Sequence, residues 1–95
     1  MKARHAPASN DFGADLILEG NERIVIQAKR YSSKEGIKAV QEIYSARGYY
    51  KAQTAWVITN NYFTSQAIKL AESTDIQLID RNKLVDMILN SNNPK

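Results

Sequence analysis

Ninety-five residues, 43% of them hydrophobic, make one domain with a modest core. No apolar run is long enough to span a bilayer and no signal-peptide pattern is present, so the sequence reads as a chain without a membrane segment. The absence of cysteine excludes disulfides and thiolate metal sites and suits a reducing compartment, the cytoplasm, while a net charge of +3 is compatible with a phosphate-bearing partner without identifying one.

In chain order, Lys2 to Ala6 is a short polar stretch that reads as an edge strand. Pro7-Ala8-Ser9-Asn10-Asp11-Phe12-Gly13 is rich in turn formers and reads as a loop. Residues 15–29 then read as two strands and a tight turn. In the second strand Ile24, Ile26 and Ala28 point one way, and Val25, Gln27 and Lys29 the other. In the first, Asp15 and Ile17 share a face opposite Ala14, Leu16 and Leu18. A three-residue loop at Gly20-Asn21-Glu22 would pair Glu19 with Arg23, Ile17 with Val25 and Asp15 with Gln27, with Lys29 diagonal to Asp15. Opposed residues share a face about 5 Å apart at Cβ. A two-residue loop would turn Asp15 to the other face.

Ser32-Ser33-Lys34-Glu35 reads as a capping box, Ser32 at the N-cap and Glu35 at N3, opening a helix that runs to about Lys51. Ile37, Val40, Ile43, Tyr44 and Arg47 fall at helical spacing and predict a largely apolar face. Residues 54–59 are apolar on both faces, which predicts a central strand with Trp56 in the core. Thr64 caps a second helix, with Phe63 stapling onto Ile68. Residues 76–79 form a short strand. Asp80 caps a last helix, with Ile79 stapling onto Leu84, and Leu84, Val85, Ile88 and Leu89 give that helix its packing face. The tail from Asn90 is polar and frayed. The hairpin is antiparallel and the helix crossovers imply parallel neighbours, so the fold class is α/β: a mixed β-sheet flanked by helices. Three helices leave part of such a sheet to be covered by another segment or another chain.

Asp15, Gln27 and Lys29 place a carboxylate, a neutral amide oxygen and an ammonium on adjoining strands. Mg²⁺ takes oxygen ligands, often only one or two from the protein, with water and phosphate completing the shell. Asp15 and Gln27 supply such oxygens, and the Ala28 backbone carbonyl is a possible third. Lys29 can orient an attacking water or offset charge on a phosphate.

Residues 9–18 (Ser-Asn-Asp-Phe-Gly-Ala-Asp-Leu-Ile-Leu) and 24–31 (Ile-Val-Ile-Gln-Ala-Lys-Arg-Tyr) resemble the Mrr-type branch of the PD-(D/E)xK nuclease superfamily. Val40-Gln41-Glu42, Trp56-Val57-Ile58-Thr59-Asn60 with Phe63-Thr64, and Leu78-Ile79-Asp80 extend the resemblance from about Lys2 to Leu89. A D…QxK pattern is weak alone and strong within this ordered set. In that branch the acidic residue of the (D/E)xK element is commonly Gln, as Gln27 is here. The resemblance implies a restriction-endonuclease-like fold and Mg²⁺-dependent cleavage of DNA by Asp15, Gln27 and Lys29, with Mn²⁺ able to substitute. In restriction members the substrate is foreign or methylated DNA. Relatives usually begin with an amphipathic helix and carry a separate DNA-binding domain. Here the sequence enters the first strand directly, as in a fragment or a chain that borrows cover from a partner. Residues 1–90 are the expected nuclease domain and 91–95 a polar tail.

Arg4, Arg30, Lys34 and Lys38 cluster in sequence around the site and are candidates for phosphate contacts. Gln41 is a candidate to approach the site from the helix. His5 reads as an edge or loop histidine. Tyr31, Tyr44, Tyr49, Tyr50 and Tyr62 are able to stack on bases, although Tyr44 takes a core-facing helical position and Tyr49 and Tyr50 read as packing against a neighbouring element or subunit. The sequence thus supports a DNA endonuclease, most naturally a homodimer. A catalytically silent nuclease fold for DNA binding or dimerisation is the alternative from another class, and a junction-resolving nuclease a third.

Overall fold

Glu19 pairs with Arg23 across a three-residue turn, and this closure sets the register of the front half of the molecule. The computed structural model describes residues 2–5, 13–30, 34 and 36–91. Their elements are β1 (Lys2–His5), β2 (Leu16–Glu19), β3 (Arg23–Lys29), α1 (Ile37–Tyr49), β4 (Thr54–Thr59), α2 (Ser65–Thr74), β5 (Gln77–Ile79) and α3 (Arg81–Ser91). The five strands form one mixed sheet in the order β1-β2-β3-β4-β5. The pairs β1–β2 and β2–β3 are antiparallel, and β3–β4 and β4–β5 are parallel. Arg23 fastens the turn end: its side chain donates to Glu19 and to the Tyr50 carbonyl, and its backbone exchanges hydrogen bonds with Gln53.

The core lies on one face of the sheet. Ile17, Val25, Ala55 and Val57 pack there against Ala39, Val40, Ile43 and Ala46 of α1 and Ala67 and Ala71 of α2. Burial of each large aliphatic side chain contributes about 1.5–3 kcal/mol. Arg47, half-buried, donates to the carbonyls of Thr74 and Asp75, so a cation caps the C-terminus of α2 from α1. Thr64 caps α2 through Ala67 N–H, and Asp80 caps α3 through Lys83 N–H, as the sequence predicts.

Four expectations are corrected. Helix α1 begins at Ile37 with Gly36 as N-cap, later than a Ser32 cap implies, and Ser32, Ser33 and Glu35 lie outside the described residues. Its buried stripe is Ala39, Val40, Ile43 and Ala46. Ile37 and Tyr44 are exposed, and Tyr44 instead lies under the Arg47 guanidinium, 5.1 Å from the ring centroid. The strand of Trp56 is interior, but Trp56 itself is only half-buried. Trp56 alternates away from Ala55 and Val57 and, with Thr54, Gln77 and Ile79, borders a groove of about 290 Å³ closed by Lys83 and Met87 of α3. Helix α3 continues through Asn90 to Ser91 and buries no residue: Val85, Ile88 and Leu89 are 46%, 50% and 62% exposed. Residues 92–95 of the expected tail lie outside the described residues.

Candidate active site at the open end of the hairpin

The regular pairing of β2 with β3 stops at the end opposite the turn. The paired register runs from Glu19 with Arg23 to Leu16 with Ile26, and Asp15 lies one residue beyond it. The Asp15 N–H donates to the Ile26 carbonyl at 2.8 Å, out of step with the regular ladder. Its Oδ2 then accepts the Ala28 N–H at 2.8 Å. The carboxylate thus takes over where backbone pairing to β3 stops, and spans Gln27 between two anchors.

Gln27 is 3% exposed and polar, on the α1 side of the sheet. Its Nε2 donates to Glu42 Oε1 at 3.1 Å. The same oxygen pairs with Lys29 Nζ at 3.5 Å. Helix α1 therefore brings a second carboxylate to the strand that carries Gln27 and Lys29. The approach leading into Asp15 is fitted to the same helix. Gly13 has φ +90°, and a Cβ there would stand 2.8 Å from the Glu42 carbonyl oxygen and 2.9 Å from Glu42 Cβ. Only glycine meets both demands, the left-handed backbone and the close approach.

Gln27 Oε1 is buried and accepts no hydrogen bond among the described residues. An orphaned buried acceptor costs about 1–3 kcal/mol, so it needs a partner. A hard cation is a fitting one, because the neighbouring donors are oxygens: the Asp15 carboxylate and this amide carbonyl. Among the described residues no three or more His, Cys, Asp or Glu side chains gather around one point. A metal here would depend on one or two protein oxygens plus water and phosphate, a shell that Mg²⁺ accepts and Zn²⁺ does not favour.

The remaining expectations divide. Ala28 contributes its N–H to Asp15. Arg30, Lys34 and Lys38 are exposed cations after β3 and at the start of α1, while the side chain of Arg4 lies outside the described residues. Lys34 borders an apolar cavity of about 610 Å³ with Tyr62, Phe63 and Leu78. Gln41 is not at the site: it faces a groove shared with Tyr44, Ser45 and Leu70, and Glu42, one residue on, takes the place expected of it. Tyr50 is buried and stacks edge-on against the exposed Tyr49, and Tyr62 donates to Asn82. Tyr31 lies outside the described residues, as does the side chain of His5.

Residues 1–88 match the Mrr catalytic family, described as restriction endonuclease. A type IV methyl-directed restriction enzyme of Escherichia coli K12, EcoKMrr, is 33% identical over 86 residues, which are 85% of this chain and 28% of that enzyme. The chain thus spans less than a third of this relative. The crystal structure of a protein of unknown function, AF1548, superposes with a TM-score of 0.63 at 25% identity, covering 70% of this chain and 40% of the other.

Proposed function

The chain belongs to the Mrr-type family of restriction endonuclease catalytic domains, and from that premise we propose that it cleaves DNA phosphodiester bonds with a bound Mg²⁺, Mn²⁺ being able to substitute. The observation that carries this reading is the orphaned Gln27 Oε1, buried on the strand that also presents Lys29 and next to the Ala28 N–H that the Asp15 carboxylate accepts. Asp15 and Gln27 would hold the metal, with the Ala28 carbonyl as a further oxygen. The chemistry supplied by a bound Mg²⁺ is activation of a water and polarisation of the scissile phosphate. Lys29 sets a positive charge beside the phosphate and orients the water that attacks it. Arg30, Lys34 and Lys38 supply backbone contacts that hold the duplex without reading its sequence.

The domain acts as a homodimer in the cytoplasm in this reading. The uncovered apolar side chains of α3 support association, since a large exposed apolar patch marks an interface. Among the described residues no helix is long and apolar enough to cross a membrane. The catalytically silent alternative draws on one feature, the Lys29 ammonium already paired with Glu42. Nicking of supercoiled plasmid, unmethylated and methylated, with Mg²⁺ or Mn²⁺ and with EDTA separates the two readings. Metal-dependent nicking abolished by EDTA is the expected result; no nicking of either plasmid favours the silent module.

A further inference from the structure

Gln27 has two chemically different ends of nearly the same shape, and only one of them can ligate a cation. An amide turned the wrong way would aim its NH₂ group at the metal and abolish the site. Something must hold the orientation, and the sheet does not: Gln27 is the only buried polar side chain of β3.

Glu42 supplies what is needed. A carboxylate accepts hydrogen bonds and donates none. Its Oε1 lies 3.1 Å from Gln27, so the group that faces it must be Nε2, and Oε1 of the amide is left pointing elsewhere, buried and unpartnered. The same oxygen holds the Lys29 ammonium at 3.5 Å. One carboxylate on α1 thus reaches both Gln27 and Lys29, and its own placement is fixed by the close packing of Gly13 against its backbone. We propose that Glu42 is a positioning residue that locks the Gln27 amide with its carbonyl oxygen toward the metal, and sets Lys29 beside it, without itself ligating. The inference rests on the metal-dependent reading above.

The test combines a metal-free readout with a metal-binding one. In wild-type protein without metal, a side-chain amide proton of Gln27 is protected from exchange and gives nuclear Overhauser contacts to the Glu42 side chain. In Glu42→Gln, which keeps the size but offers a donor as well as an acceptor, the amide is free to turn and both signatures weaken. Mn²⁺ affinity, followed by electron paramagnetic resonance, falls about 10-fold, as is typical when the partner of a metal ligand is lost. Exchanging the two groups, Gln27→Glu with Glu42→Gln, restores a donor facing an acceptor and returns Mn²⁺ binding to the wild-type level or better. Unchanged Mn²⁺ affinity and unchanged Gln27 signals in Glu42→Gln would overturn the proposal. A wild-type protein that binds no Mn²⁺ overturns the metal-site reading instead, while the metal-free amide signals still decide whether Glu42 holds Gln27.

Discussion

Gly13 lies so close to Glu42 that a Cβ on it would meet the Glu42 carbonyl oxygen at 2.8 Å. This contact joins the approach to Asp15 to the helix that holds Gln27 and Lys29. Gly13→Ala must therefore either leave φ +90° or push α1 away. We expect a loss of about 1–3 kcal/mol in urea unfolding, together with weaker Mn²⁺ binding, because Asp15 follows two residues later. Wild-type stability in this variant would show that the loop reaches Asp15 by another path.

Gln27→Glu sets a carboxylate 3.1 Å from another one. Like charges at that distance oppose ionisation and folding together. The metal-free variant is expected to melt below wild type. Mg²⁺ then raises its melting temperature by more than it raises that of wild type, since a ligand that binds the folded state tightly stabilises it more. Tighter binding need not speed cleavage, because holding the metal in the ground state does not lower the barrier. Equal Mg²⁺-induced shifts in the two proteins, read by differential scanning calorimetry, would count against a metal at Gln27.

Helix α3 offers a test of assembly. Leu89 is 62% exposed and Ile88 50%. Sedimentation of the wild-type chain is expected to show association that grows with concentration. Leu89→Glu should shift it to monomer and change stability by no more than about 0.5 kcal/mol, as for an exposed position. A wild-type chain that stays monomeric at every concentration would exclude α3 as a self-association surface.

Thr64→Ala removes the side chain that accepts Ala67 N–H at the start of α2. The expected cost is about 1 kcal/mol in urea unfolding, with DNA cleavage unaffected because α2 contributes no residue to the site. A loss of cleavage at unchanged stability would extend the site to α2.

Sequence carried the front of this fold because each signal there is local. The turn Gly20-Asn21-Glu22 fixes one register, and alternation then puts Val25, Gln27 and Lys29 on the side of α1. The caps at Thr64 and Asp80 are equally local. What failed depended on neighbours. Alanines at 39 and 46 carry a weak hydrophobic signal, so helical spacing phases the α1 stripe toward Tyr44 instead of toward them. Trp56 and α3 look like core from composition, yet Trp56 is only half-buried and α3 buries no residue. Glu42 carries a legible signal of its own. It lies three residues after Ala39 and four before Ala46, beside the buried stripe, where a charge requires a partner, and β3 offers Gln27 and Lys29.

In the proposed reaction Lys29 acts in the chemistry and Asp15 in holding the metal. The most direct measurement is cleavage of a labelled duplex at saturating enzyme, with DNA and Mn²⁺ binding measured in parallel, for wild type, Lys29→Ala and Asp15→Ala. The account predicts that Lys29→Ala keeps DNA and Mn²⁺ binding and loses cleavage, while Asp15→Ala loses Mn²⁺ binding and cleavage together. Cleavage by both variants at the wild-type rate would contradict it.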